Sequence, residues 1–185
     1  MKEQVIWTIG HSTRPIKEFL DLLTRQRIRC LVDVRAIPFS RHNPQFNKDA
    51  LSQSLEKSEI AYHHFAALGG RRKSLSDSKN TGWRNASFRG YADYMQTPEF
   101  QAALHELTIL AARAPTAIMC AEAVPWRCHR SLIADSFIAQ GGTVLEIVGE
   151  SEPKLRRLPA WATVENGVLT YPKPQGLSLR EALNG

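Results

Sequence analysis

The sequence predicts an α/β fold: three layers, a mostly parallel sheet of about five strands with helices on both faces, and a C-terminal hairpin. Two observations carry this. Short apolar runs alternate with segments of helical periodicity from residue 5 to residue 148, the order expected of parallel strands joined by crossover helices. Beyond them, "WATVENGVLTYP" sets Asn166-Gly167 between alternating residues, which is a hairpin signal.

Val5-Ile6-Trp7-Thr8-Ile9 reads as a buried strand ending at Gly10-His11-Ser12-Thr13. A helix follows from about Pro15, with Ile16, Phe19, Leu20 and Leu23 at helical spacing and the proline suited to a first turn. Cys30 to Val34 is the second strand and runs into the loop "RAIPFSRHNPQF". Asn47 is placed to cap a helix reaching about Lys57, and Ile60 to Phe65 is a third strand. Residues 66–90 read as a long irregular stretch, which in a compact domain points to function or mobility. Thr97-Pro98-Glu99 opens a helix with Phe100, Leu104, Leu107 and Ala111 on its stripe. Thr116 to Cys120 is the fourth strand. Helix signals resume by Trp126 and stop at Gly141-Gly142, and Thr143 to Val148 is the fifth strand. The expected organisation is one α/β domain over 1–150, with 151–185 as an appendage.

The 185 residues suit one domain, and 43% hydrophobic with 23% charged residues is ordinary for a globular chain. No apolar run is long enough for a spanning helix, and "MKEQVIWTIG" lacks the long apolar core of a signal peptide. Three cysteines are too few for a disulfide framework, so a cytoplasmic setting without membrane contact is expected. The net charge of +6 favours anionic partners, a small molecule or nucleic acid. Oligomeric state is not legible.

In open parallel sheets, ligands bind at the carboxyl ends of the strands. The unusual polar groups fall there repeatedly: His11 and Ser12 after the first strand, Asp33 and Arg35 after the second, with Ser40 and Arg41 beyond. Gly69, Gly70, Arg71 and Arg72 follow the third strand, and Cys120 and Glu122 close the fourth. Cys120 precedes a helix N-terminus and lies near Arg127 and Arg130, a setting that lowers a thiol pKa. His129, one turn before Ile133, points toward the sheet. Arg130 lies about 100° round the helix, placed to reach an anion at the rim. Glu122 is a candidate to orient His129 or to act as acid or base. Each has a plainer role open to it. Cys120 is a candidate buried hydrophobe and His129 a cap. Glu122 and Arg130 suit an ion pair, and Cys128 suits a packing role.

Named motifs mostly fail. Cys120 to Arg127 is Cys-x6-Arg, one residue longer than the loop of cysteine phosphatases. Cys120 and Cys128 are too far apart for a zinc knuckle and no second ligand pair appears, so no metal ligand is assigned, although a metal site built from Cys120, Cys128 and His129 stays open as a weakly signalled alternative; no nucleotide-loop motif implies a cofactor. Together, however, "TIGHS", "VDVRAIPFSRHNPQF", "LGGRRK", "FRGYADYM" and "CAEAVPWRCHRSLIAD" resemble, in order, the domain of unknown function 488 family over about residues 5–148. The resemblance implies an α/β fold and a shared polar rim, and no established reaction. Its signature positions here are His11, Ser12, Asp33, Arg35, Pro38, Ser40, Gly69, Gly70, Tyr91, Cys120, Glu122, His129 and Arg130. "VDVR" with a later strand-end cysteine also resembles rhodaneses in layout, but Pro125 removes an amide from the loop that would cradle the sulfur.

The reading that follows is an enzyme acting on a phosphate-bearing substrate such as a nucleotide or nucleic acid. Its catalytic candidates are Cys120, Glu122, His129 and His11. Its binding candidates are Ser12, Asp33, Arg35, Ser40, Arg41, Tyr91 and Arg130. The alternatives are a non-catalytic nucleic-acid-binding protein that uses the basic loop 71–89 with Trp83 and Phe88, and rhodanese-like or redox thiol chemistry.

Overall fold

A computed structural model describes residues 4–173. Its first five strands are parallel: β1 (Val5–Gly10), β2 (Cys30–Asp33), β3 (Ala61–His64), β4 (Thr116–Cys120) and β5 (Thr143–Ile147). A short sixth, β6 (Lys154–Leu155), joins β5 antiparallel, giving the order β3-β2-β4-β1-β5-β6. Strands β7 (Thr163–Glu165) and β8 (Val168–Thr170) form the expected hairpin, and Asn166 and Gly167 both turn at positive φ, 50° and 78°. Those are the two left-handed residues that this tight turn needs.

Alternation along the strands sorts the core into two halves. Ile9, Leu31, Ala117 and Met119 face one way and pack on α1 (Ile16–Arg25) and α2 (Lys48–Glu56) through Phe19, Leu23, Leu51 and Leu55. Ile6, Val32, Ile118 and Cys120 face the other way, onto α3 (Ala86–Tyr94), α4 (Pro98–Arg113) and α5 (Arg130–Ala139) through Tyr91, Phe100, Leu104 and Ile133. The expected three layers are therefore present. The tail is woven into the second half. Leu169 and Tyr171 are buried there, and the Tyr171 hydroxyl donates to Asp135 Oδ2 at 2.7 Å. Residues 174–185 of the expected appendage lie outside the described residues.

Four local readings need correction. The stretch 66–90 is not irregular throughout, because Asn85 Oδ1 accepts from the Ser87 and Phe88 amides and starts α3. Asn47 sits at the head of α2 but makes no cap bond there; its Oδ1 accepts instead from the Ser40 amide, 2.6 Å away. The turn Pro125–Arg127 is 3-10, and α5 proper begins only at Arg130. Trp83 and Phe88 do not form an open stacking platform. Their rings lie 4.9 Å apart, and Trp83 also packs edge-on against Trp161 and Tyr171. Trp83 holds the tail to the body of the protein.

Candidate functional site

Register brings the strand ends together. Gly10 is level with Cys120, and Asp33 is level with Met119. The ladder continues past the strands, since the His11 amide donates to the Cys120 carbonyl at 2.9 Å and the Ser12 amide to that of Ala121 at 2.9 Å. The chain leaving β4 folds back across the end of β1. A Cβ on Gly10 would lie 1.9 Å from the Glu122 carbonyl oxygen, so only glycine fits. His11, Arg35 and Cys120 thus share one rim, at the point where the connections reverse direction across the sheet. A cavity of about 990 Å³ opens there.

Two cysteines and a histidine form part of its floor. The ring of His129 is fixed by Nε2, which donates to the Val34 carbonyl at 2.9 Å. In the neutral ring this leaves Nδ1 with the lone pair. Nδ1 faces both sulfurs, 3.9 Å from Cys120 Sγ and 3.7 Å from Cys128 Sγ, and the three atoms lie within 4.8 Å of one another. The neighbouring Cys128 thiol holds the Cys120 thiol well below its ordinary range, against the effect of burial and with help from His129 and Arg130. Cys128 shifts the other way, driven first by Cys120 and then by burial. Tyr91 packs its ring on His129 at 5.1 Å between centroids and donates its hydroxyl to the Leu68 carbonyl. Gly70 leaves room for the imidazole, because a Cβ there would lie 3.0 Å from Nδ1.

A second polar group lies beside this floor. Asp33 is wholly buried and holds Arg35 through Nε and Nη2, the latter at 2.5 Å, while Tyr62 also donates to Asp33, 2.8 Å away. Arg35 Nη1 lies 3.3 Å from His11 Nε2, and His11 Nδ1 lies 2.8 Å from the Ser12 carbonyl. This pattern suits a neutral ring that donates from Nδ1 and accepts at Nε2. Burial lowers the His11 pKa; the hydrogen bond to Ser12 opposes this, and the Arg35 charge reinforces it. The ring is clamped flat on Phe46, with centroids 4.3 Å apart.

Several expected site residues stand elsewhere than expected. Arg130 is wholly buried. Its guanidinium donates to the Glu122 and Ala123 carbonyls and does not line the cavity, so it clamps the loop after β4. Glu122 is exposed at the cavity mouth, and its carboxylate accepts from the Val124 amide; it neither orients His129 nor pairs with Arg130. Asp33 does not line the cavity and acts on it through Arg35. Arg41 is exposed and lies outside the lining. Ser12, Ser40 and Tyr91 do line it.

Sequence reading placed Arg71 and Arg127 near the rim but not among its binding candidates; both line the cavity and have no carboxylate partner among the described residues. It gave Cys128 a packing role first and its grouping with Cys120 and His129 only as a weak alternative; the three donor atoms lie together here. One further signal lies in the backbone. Ser12 and Arg71, both in the lining, adopt φ of 50° and 65°. Such conformations are uncommon for residues with side chains, and they cluster at functional sites.

The fold is α/β, a mostly parallel sheet in the order β3-β2-β4-β1-β5-β6 with helices on both faces, and the polar rim lies at the carboxyl ends of its strands, where open α/β sheets bind ligands. A family model described as Domain of unknown function DUF488 matches residues 15–137, and the chain belongs to that family. The match begins beyond His11 and Ser12 and ends within α5, so it takes in Arg35, Tyr91, Cys120 and His129. No curated protein and no solved structure matches the chain.

Proposed function

We propose that the chain is an enzyme acting on a phosphate-bearing substrate, a nucleotide or nucleic-acid end, seated in the strand-end cavity. The observation that carries this reading is the pairing of two unpartnered arginines, Arg71 and Arg127, with a Cys120–Cys128–His129 floor in one cavity. Arginine forks suit phosphate oxygens, and perturbed titratable groups in a cleft mark candidate chemistry. Arg71 and Arg127 grip the anion, and Ser12 and Ser40 add hydroxyls near it. Arg35, fixed by Asp33, holds His11 in place. The exposed side chains of Ile37 and Phe39 line the same cavity and offer apolar surface to the rest of the substrate. Cys120, Cys128 and His129 form the chemical end, with Glu122 at the mouth as a proton acceptor. The binding-only reading loses support because Trp83 is occupied by the tail.

Calorimetric and thermal-shift titration against nucleoside monophosphates, oligonucleotides and simple phosphate esters tests this reading, followed by an assay for turnover of any that bind. Binding that weakens in Arg71→Ala and Arg127→Ala, with turnover lost in Cys120→Ser, is the expected result. Absence of binding by every phosphate compound at low salt would overturn it.

A further inference from the structure

We infer that Cys120, Cys128 and His129 form a metal site for a zinc-class divalent cation, with its fourth coordination position open to the cavity. Zinc bonds thiolate sulfur at about 2.3 Å and imidazole nitrogen at about 2.0–2.1 Å, so a tetrahedral shell sets its donors roughly 3.5–3.8 Å apart. The two sulfur–nitrogen separations here are 3.9 and 3.7 Å, and all three donor atoms lie within 4.8 Å. Both sulfur–nitrogen separations are thus within a few tenths of an ångström of that spacing.

Three features of the surroundings fit this assignment. The first is the imidazole. A metal-bound histidine usually donates its other ring nitrogen to a carbonyl or carboxylate, which fixes the tautomer and the ring plane. His129 does this through Nε2 to the Val34 carbonyl, 2.9 Å away, and so turns Nδ1 onto the sulfurs. The second is charge. Arg130 is buried beside the sulfurs, its Nε has no partner, and no carboxylate pairs with it among the described residues. A buried cation without an anion is costly. Two thiolate ligands on a bound cation would supply that anion. The third is the local chain. Cys128 is extended (φ −128°, ψ 141°) and His129 is helical (φ −56°, ψ −21°), so adjacent side chains converge after the 3-10 turn Pro125–Arg127 has spanned the gap back to Cys120. This is why the long spacing between the cysteines does not prevent a shared site.

The site is of the open kind. Structural zinc sites close with four protein ligands, whereas catalytic ones keep three and leave a position for water or substrate. Among the described residues no fourth histidine, cysteine or carboxylate joins the cluster. All three donors line the cavity, in company with Arg71 and Arg127. The open position therefore faces the place where the proposed substrate oxygen would lie. That last point rests on the functional reading above; the metal binding itself does not.

The test is metal content and cobalt spectroscopy on the full chain, stripped with chelator under reducing conditions and reloaded with zinc(II) or cobalt(II). The expected result is about one tightly held zinc per chain. With cobalt, tetrahedral ligand-field bands and a near-ultraviolet thiolate-to-metal band are expected. Metal content should fall to background in Cys120→Ser, Cys128→Ser and His129→Ala and stay unchanged in Cys30→Ser, with circular dichroism checking each fold. The cobalt spectrum of the unaltered chain reads the thiolate ligands directly, even where a variant fails to fold. A reloaded chain that loses its metal on desalting, a cobalt spectrum without the thiolate band, or Cys120→Ser and Cys128→Ser variants that both keep full metal would overturn the assignment. Phosphate-ester calorimetry on the stripped and loaded forms separates the two claims. Anion affinity without metal binding defeats the metal site alone, and metal binding without anion affinity defeats the functional reading alone.

Discussion

Arg130→Met removes a wholly buried guanidinium and leaves two carbonyl oxygens, those of Glu122 and Ala123, without their donor. Hydrogen bonds to charged groups contribute about 1.5–3 kcal/mol each, so the lost pair amounts to about 3–6 kcal/mol. Relief of the desolvation carried by the buried charge offsets part of that, and a net loss of about 2–4 kcal/mol is expected. For a chain of this size each kcal/mol corresponds to about 2–4 °C, so Tm should fall by roughly 4–16 °C. Urea and thermal denaturation, monitored by far-ultraviolet circular dichroism, read this directly. Phosphate-ester affinity, measured well below the transition, supplies the contrast. A stability unchanged within error, together with loss of anion binding, would refute the loop-clamp role and return Arg130 to the anion-gripping role that its place in the sequence suggested.

Other consequences can be measured in the same way. Gly10→Ala places a carbon 1.9 Å from a backbone oxygen, so denaturation should show a loss of about 1–3 kcal/mol or more. Arg71→Ala and Arg127→Ala should each weaken phosphate-ester binding about tenfold, or about 1.4 kcal/mol. Their effect on stability should stay within about 0.5 kcal/mol, because both are exposed. Asp33→Asn leaves the Arg35 guanidinium buried without its counter-charge and should cost about 3–5 kcal/mol by urea titration. Trp83→Ala should cost about 2–4 kcal/mol by loosening the packing against Trp161 and Tyr171. Mononucleotide affinity should be unchanged in that variant by calorimetry.

Much of this architecture was legible because parallel strands announce themselves. The apolar runs at Val5, Cys30 and Thr116 and the Asn166-Gly167 turn each carry a local signal strong enough to survive packing. The rim was legible for a topological reason: polar residues repeatedly followed strands at their carboxyl ends. Helix α3 was obscured by Gly90, a poor helix residue. Its place is explained only by the close approach of the Arg72 carbonyl, 2.4 Å from where a Cβ would stand. Side-chain commitments were not legible either. Arg130 and Glu122 lie at the expected rim, but which atom meets which carbonyl depends on how the chain doubles back over Gly10. The meeting of Cys120 with Cys128 depends likewise on the turn at Pro125, which spacing alone does not reveal.

A crystal structure with a nucleoside monophosphate bound tests the central claim most directly. The expected density places the phosphate within hydrogen-bonding distance of Arg71 or Arg127, with an oxygen directed at the Cys120–Cys128–His129 floor. A nucleotide held on another face, with the cavity filled only by solvent, would contradict it.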